Sequence, residues 1–165
     1  MQEYSSEALV LASGPQRDSD LGVSLFTLKF GKIQARARSA RKITSKLVGH
    51  LQPGVFARVR LVEKAGVHVV DALKIKTSGL PLAELDLLAD VLPVFQPEPE
   101  LWRMLCGGSL VWSEALRILG WDPARAECTV CKEPRPDYFR VSDQEFFCVN
   151  CASQLPPKKL IYIDK

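Results

Sequence analysis

Four cysteines near the C-terminal end constrain this chain more than any other feature. Cys128-Thr-Val-Cys131 and Cys148-Val-Asn-Cys151 form a C-x2-C-x16-C-x2-C pattern, the spacing of a four-thiolate zinc site. Two residues between cysteines make a tight knuckle that aims both sulfurs at one ion. The intervening segment supplies a hairpin, Tyr138 to Val141 and Glu145 to Phe147 around Ser142-Asp143-Gln144, that brings the knuckles together. Four protein ligands leave tetrahedral Zn2+ no open position, so zinc held by Cys128, Cys131, Cys148 and Cys151 is expected to be structural rather than catalytic. The same thiolates also suit an iron centre. A redox pair or a disulfide framework explains two matched pairs less economically, because no secretion signal is read at the N-terminus, where Glu3 and Glu7 stand. No apolar run approaches the roughly 18 residues of a membrane span. The expected location is cytoplasmic and nucleoid-associated, with no membrane partner.

Charge is strongly segregated along the chain. Residues 1–77 hold 13 Lys and Arg against 6 Asp and Glu, residues 78–127 hold 3 against 8, and the remainder 6 against 5. Between Leu21 and Val62 there is no acidic residue, while Lys29, Lys32, Arg36, Arg38, Arg41, Lys42, Lys46, Arg58 and Arg60 all fall there. A solvated surface normally mixes both signs. A one-signed stretch points to a negatively charged partner, and nucleic acid is the expected one.

The periodicity divides the chain in the same places. Glu7 to Ala12, Val23 to Phe30, Lys32 to Arg38, Gly54 to Glu63 and Val67 to Lys76 read as five short strands, separated by Ser13-Gly14-Pro15, Gly31, Gln52-Pro53-Gly54 and Ala65-Gly66. Five strands in so short a span predict a small barrel over residues 1–77. Ile33, Ala35 and Ala37 face its interior and Lys32, Gln34, Arg36 and Arg38 its exterior. From Pro81 to Leu92 the apolar residues recur at helical spacing. Glu100 to Cys106 and a helix capped by Ser109 and stopped by Gly120 follow, so residues 78–127 are expected to be a packed helical segment. Cys106, Trp102, Trp112 and Trp121 read as its packing residues. Residues 128–165 form the cysteine module with its tail. The fold class is α+β, with an N-terminal five-stranded OB-fold barrel, a short helical segment and a zinc-ribbon-like C-terminal hairpin.

Phosphate-loop, dinucleotide, zinc-protease and nucleophile-elbow motifs are absent from the sequence. The two histidines, His50 and His68, read as structural or solvated rather than as bases. No enzymatic activity is expected.

These parts, in this order, resemble the RecO family of recombination mediator proteins. The matching residues are Glu7-Ala-Leu-Val-Leu11, Leu25-Phe-Thr27 with Gly31-Lys32, Ala40-Arg-Lys42, Ser45-Lys46, Leu51-Gln-Pro53, Ile118-Leu-Gly120, Pro123 and the two cysteine pairs. Lys132 stands where family members commonly carry glycine. Members also commonly continue into further helices, so the chain is expected to be a short form. The resemblance implies an OB-fold that binds single- and double-stranded DNA and anneals complementary strands. It also implies work with RecR to load RecA onto DNA coated by single-strand-binding protein.

Few rings are expected for base stacking, since among Tyr4, Phe26, Phe30 and Phe56 the alternation turns Phe26, Leu28 and Phe30 inward. DNA would then be held through phosphates by Lys29, Lys32, Arg36, Arg38, Arg41, Lys42 and Lys46. Two other functions share parts of this pattern. One is a protein-binding adaptor using Tyr138, Phe139, Phe146 and Phe147 around the zinc hairpin, and the other is an RNA-binding OB module.

Overall fold

The alternating segments of the N-terminal part close into a barrel in the computed structural model of the chain, which describes residues 2–17, 19–42, 45–156 and 159–163. Its strands are β1 (Gln2–Pro15), β2 (Leu21–Thr27), β3 (Gly31–Ala37), β4 (Val55–Glu63) and β5 (Val67–Thr77), in the order β1-β2-β3-β5-β4. All neighbours are antiparallel except β3 and β5. This is a five-stranded closed barrel of the OB type. The short helix α1 (Leu47–His50) lies between β3 and β4. Leu47 and Val48 pack on the barrel core, and Leu51 just beyond them is fully buried in it.

The interior is filled as the alternation requires. Val23 and Leu25 of β2, Ile33, Ala35 and Ala37 of β3, and Val59 and Leu61 of β4 meet in one cluster. The alternation breaks in β1, where Ala8 to Leu11 are all buried. Ala8 and Val10 face the interior, whereas Leu9 pairs with Phe26 on one side and Phe56 on the other. That row is the outer wall. The rings of Phe26 and Phe56 lie 5.7 and 5.5 Å from Trp102, so the barrel buries a second apolar layer outside its wall.

Phe26 therefore points outward, against the sequence expectation. β2 also ends at Thr27 rather than Phe30. The Thr27 hydroxyl donates to the Gly31 carbonyl at 2.9 Å and accepts from the Phe30 N–H at 3.0 Å. This closes a turn that leaves Leu28 36% exposed.

Two compact units divide the chain, Met1–Trp102 and Arg103–Lys165. The helix α2 (Leu82–Val91) lies in the first unit, α4 (Trp112–Ile118) in the second, and α3 (Pro99–Cys106) spans the boundary between them. α2 starts behind Pro81 and buries Leu85, Leu88 and Val91. It packs against β1 because that strand offers an apolar outer row. α4 begins at Trp112 with Val111 at its N-cap and no side-chain cap, so Ser109 does not serve that role. Its end is the expected one: Gly120 has φ +99°. The Gly120 and Trp121 N–H groups reach the Arg117 and Leu116 carbonyls at 3.1 and 2.8 Å, which is the Schellman pairing.

The second unit also holds a three-stranded sheet in the order β7-β6-β8, formed by β6 (Tyr138–Arg140), β7 (Glu145–Phe147) and β8 (Leu160–Tyr162). A short helix α5 (Val149–Ala152) follows β7.

Candidate nucleic-acid face and metal centre

The basic residues do not form one continuous patch. β3 runs from the β2–β3 turn, where Gly31 pairs with Thr27, to the β1–β2 loop, where Ala37 pairs with Leu21. Arg36 and Arg38 are exposed at the second end, and the Arg36 Nε donates to Gln16 Oε1 at 2.8 Å. The connection after β3 is sewn to the same loop: the Ser39 N–H donates to Asp20 Oδ1 at 2.8 Å and the Arg41 N–H to the Ser19 carbonyl at 2.9 Å. Ala40, fully buried, anchors it to the core. Arg38, Arg41 and Lys42 are exposed on this stretch, and so is Lys46 ahead of α1. Arg17 lies on the β1–β2 loop itself and Lys64 on the β4–β5 turn. Both are exposed cations that a reading confined to strand faces overlooked.

Two of the sequence candidates lie elsewhere. Lys29 is exposed on the β2–β3 turn, where its N–H donates to Ser6 Oγ at 3.3 Å. The five residue steps from Gly31 to Arg36 span about 17 Å of strand. Lys32 is half-buried, and its ammonium donates to the Ala89 carbonyl at 2.6 Å. Burial lowers its pKa, and nearby Asp90 works in the opposite direction. Arg58 sits opposite Glu7 of β1 at 3.7 Å, and Arg60, opposite Ser5, reaches Glu3 diagonally at 3.2 Å. Part of the acid-free stretch is therefore neutralised across the sheet.

A polar cleft of about 200 Å³ lies between the β1–β2 loop and the β4–β5 turn, lined by Gln16, Gln34, Arg36, Gly66 and His68 among others. In OB barrels the strand 2–3 face and these two loops take oligonucleotides. His68 Nε2 lies 3.0 Å from the Lys64 carbonyl, and His50 Nδ1 accepts from the Lys74 N–H at 3.1 Å. Both histidines thus engage the backbone.

The cysteine quartet forms at the other end of the chain. The Lys132 N–H donates to the Cys128 carbonyl at 2.9 Å and the Cys128 N–H to the Glu133 carbonyl at 2.8 Å, which closes the first knuckle. Lys132 takes φ +63° to do so, the left-handed conformation that glycine adopts most readily. In the second knuckle Cys148 is the N-cap of α5. Asp137 Oδ2 accepts from the Val149 N–H at 3.1 Å.

All four sulfurs lie within 4.8 Å of one another, and Cys131 and Cys148 are 3.6 Å apart. Zinc–sulfur bonds of about 2.3 Å give a tetrahedral edge of about 3.8 Å, so the quartet fits one ion. Burial pushes the Cys128 thiol up, but N–H groups of Cys131, Cys148 and Val130 outweigh it and bring it down to about 6. The neighbouring Cys148 thiol, followed by burial, raises Cys151 to about 12. A dication held by the quartet would deprotonate its coordinating thiols outright.

Around the quartet, Phe139 and Phe147 are buried, with Phe146 5.0 Å from Phe139 and Trp121 5.1 Å from it. These rings hold the module together. Arg140 stacks over Phe147 at 4.6 Å and reaches both Asp143 and Glu145. The tail expected after the cysteine module contains β8, a strand that buries Ile161 and is followed by buried Ile163.

The chain is thus a two-part α+β protein, an OB-type barrel with cations on its rim followed by a four-cysteine module able to hold a metal. Residues 1–78 match the family model described as "Recombination protein O N terminal". The chain is 26% identical over 176 residues to the DNA repair protein RecO of Thermodesulfovibrio yellowstonii, covering 91% of this chain and 70% of that protein. It is 31% identical over 116 residues to that of Geobacter metallireducens and 34% over 117 to that of Myxococcus xanthus, in each case 64% of this chain and 48% of the relative. The chain is thus similar to RecO proteins over most of its length, and its barrel matches the N-terminal family model. No described helix is long and apolar enough to cross a membrane.

Proposed function

We propose that this chain is a DNA repair and recombination mediator that holds DNA by its phosphates along the barrel rim and works by binding, without turnover. In this reading Arg36, Arg38, Arg41, Lys42 and Lys46 neutralise the backbones of two strands while the base edges stay free to pair, which promotes annealing. RecR and RecA are its partners in loading the recombinase onto DNA covered by single-strand-binding protein, as the family resemblance implies. Cys128, Cys131, Cys148 and Cys151 hold a structural Zn2+ that cross-links two knuckles and takes no part in chemistry.

The observation that carries the proposal is the backbone stitching of the β3–β4 connection to the β1–β2 loop, through Ser39 with Asp20 and Arg41 with Ser19. It gathers cations at the end where OB barrels receive oligonucleotides. Anisotropy of a labelled single-stranded oligonucleotide across a salt series tests it. Five phosphates at about −0.7 each give an expected log–log slope of about −3 to −4. Replacing Arg36, Arg38 and Arg41 together with alanine should weaken all sequences alike and flatten the slope by about 2. Unchanged affinity and slope in that variant would reject the face.

A further inference from the structure

The first half of β3 lacks a β-strand on one side. β3 and β5 pair only at Arg36 and His68, and β5 begins at Val67. The segment joining α2 to α3 takes the place beside β3. Val94 forms a parallel bridge with Lys32, and the Phe95 N–H donates to the Lys32 carbonyl at 2.9 Å. The approach is so close that a Cβ on Gly31, at φ +70°, would lie 2.1 Å from the Gln96 carbonyl oxygen. Phe95 itself has φ +57°, a region non-glycine residues seldom enter, and is nevertheless 65% exposed. Ordinary core packing does not hold a large ring in water on a strained backbone; such outliers cluster at ligand sites.

Phe95 stands at a cavity of about 380 Å³, within the size range of ligand pockets, about 300 to 1,000 Å³. Tyr4 and Phe30 line it edge to face, 5.4 Å apart, and the barrel-core residues Ile33 and Leu61 line it too. Its one charged group is Glu63, whose Oε2 accepts from the Tyr4 hydroxyl at 3.4 Å.

We propose that this pocket receives an unpaired nucleobase of single-stranded DNA, stacked against Phe95. The inference rests on the DNA-binding reading above. Three rings supply the π faces on which a base stacks. The Glu63 carboxylate repels phosphate and accepts from base N–H groups, so a base enters and the backbone stays outside. Outside, Lys29 precedes Phe30 and Lys64 follows Glu63 in the chain, both exposed, and these cations complement phosphates flanking the inserted base. Val67 lines both this pocket and the polar cleft with Arg36 and His68. The two sites therefore adjoin, and a strand gripped at the rim passes the pocket. A base paired in a duplex cannot enter. The pocket thus favours single strands over duplex, a preference that phosphate contacts alone do not supply.

The test compares the full chain with its Phe95→Ala variant, which alters an exposed side chain. Oligonucleotides containing 2-aminopurine in place of adenine report stacking by fluorescence quenching, and anisotropy gives affinity. The expected result is loss of the stacking signal and a 5- to 150-fold weaker affinity for single strands, about the range for one stacked base. The salt slope and duplex binding should be unchanged, which also shows that the variant is folded. An oligonucleotide with abasic sites throughout should bind wild type and variant equally. Equal single-strand affinity and equal quenching in the two proteins would overturn the pocket assignment alone and leave the cavity to an apolar side chain of a protein partner. Wild-type protein that binds neither single strands nor duplex would overturn both readings.

Discussion

The barrel and the cysteine module are both built on short strands, yet they are held together by different means. The barrel core draws sixteen buried residues from five strands, from Ala40 in the connection after β3 and from Leu51 just after α1, all of them apolar, and a second row outside the wall adds Phe26, Phe56 and Trp102. At about 25 cal/mol per Å² of apolar surface removed from water, such a double layer supports a fold unaided. The buried cluster at the cysteines is Cys128, Phe147, Cys148 and Ala152, and half of it consists of thiols able to hold a metal. Where so little apolar area gathers, one ion can do the work of a core. The contrast predicts that metal dependence is confined to the second unit, and that the two units should fail separately.

The largest effect expected is on the module. Cys148→Ser leaves three thiolates and should abolish stoichiometric zinc, removing a contribution of about 10–16 kcal/mol to the folding of that unit. Metal analysis should find less than one equivalent, and limited proteolysis should cut between residues 128 and 163 while the barrel survives. A full equivalent of zinc with unchanged protease resistance would break the comparison. Leu25→Ala, fully buried in the barrel, should cost about 2–5 kcal/mol in denaturant unfolding of the first unit, with zinc content unaltered. Loss of zinc in that variant would mean that the two units fold as one.

Smaller effects sharpen the contrast within each unit. Lys132→Gly relieves a left-handed backbone in the first knuckle and should stabilise the module by about 1 kcal/mol, read as slower zinc release to a chelator. Lys32→Met removes a half-buried charge whose ammonium is already occupied by the Ala89 carbonyl. Stability should change by less than about 1 kcal/mol, and the salt slope for DNA should stay the same. A flatter slope would return Lys32 to the phosphate-binding set.

What the sequence could disclose depended on how local each cause is. The quartet was legible because two-residue spacing within a knuckle is a local geometric demand. The same holds for β3, whose one wet face keeps a clean alternation from Lys32 to Ala37. β1 extends from Gln2 to Pro15 rather than Glu7 to Ala12 because its early residues pair with a strand some fifty positions away. The outward turn of Phe26 depends on Trp102, 76 residues on, and the capture of Lys32 on Ala89; no window of the sequence contains either pair. Arg58 and Arg60 looked unopposed because their acidic partners precede the basic stretch in the chain. β8 is a further case: Leu160 to Ile163 is a short unbroken apolar run, and with no alternation along it, its pairing with β6 could not be read locally.

The division of labour along β1 also bears on synthesis. Its second half, from Ala8, pairs with β2 only a few residues ahead, whereas its first half, Gln2 to Glu7, pairs with Arg58 to Glu63. During vectorial emergence from the ribosome, the β1–β2–β3 meander can assemble as soon as residue 37 is out. The leading segment must wait for β4, because non-local pairing closes a long loop before it gains anything. For that interval the segment from Gln2 to Glu7 is an unpaired edge, the kind of exposed strand that chaperones guard. Pausing of translation between β3 and β4 should therefore harm the yield of native barrel more than pausing anywhere after residue 77.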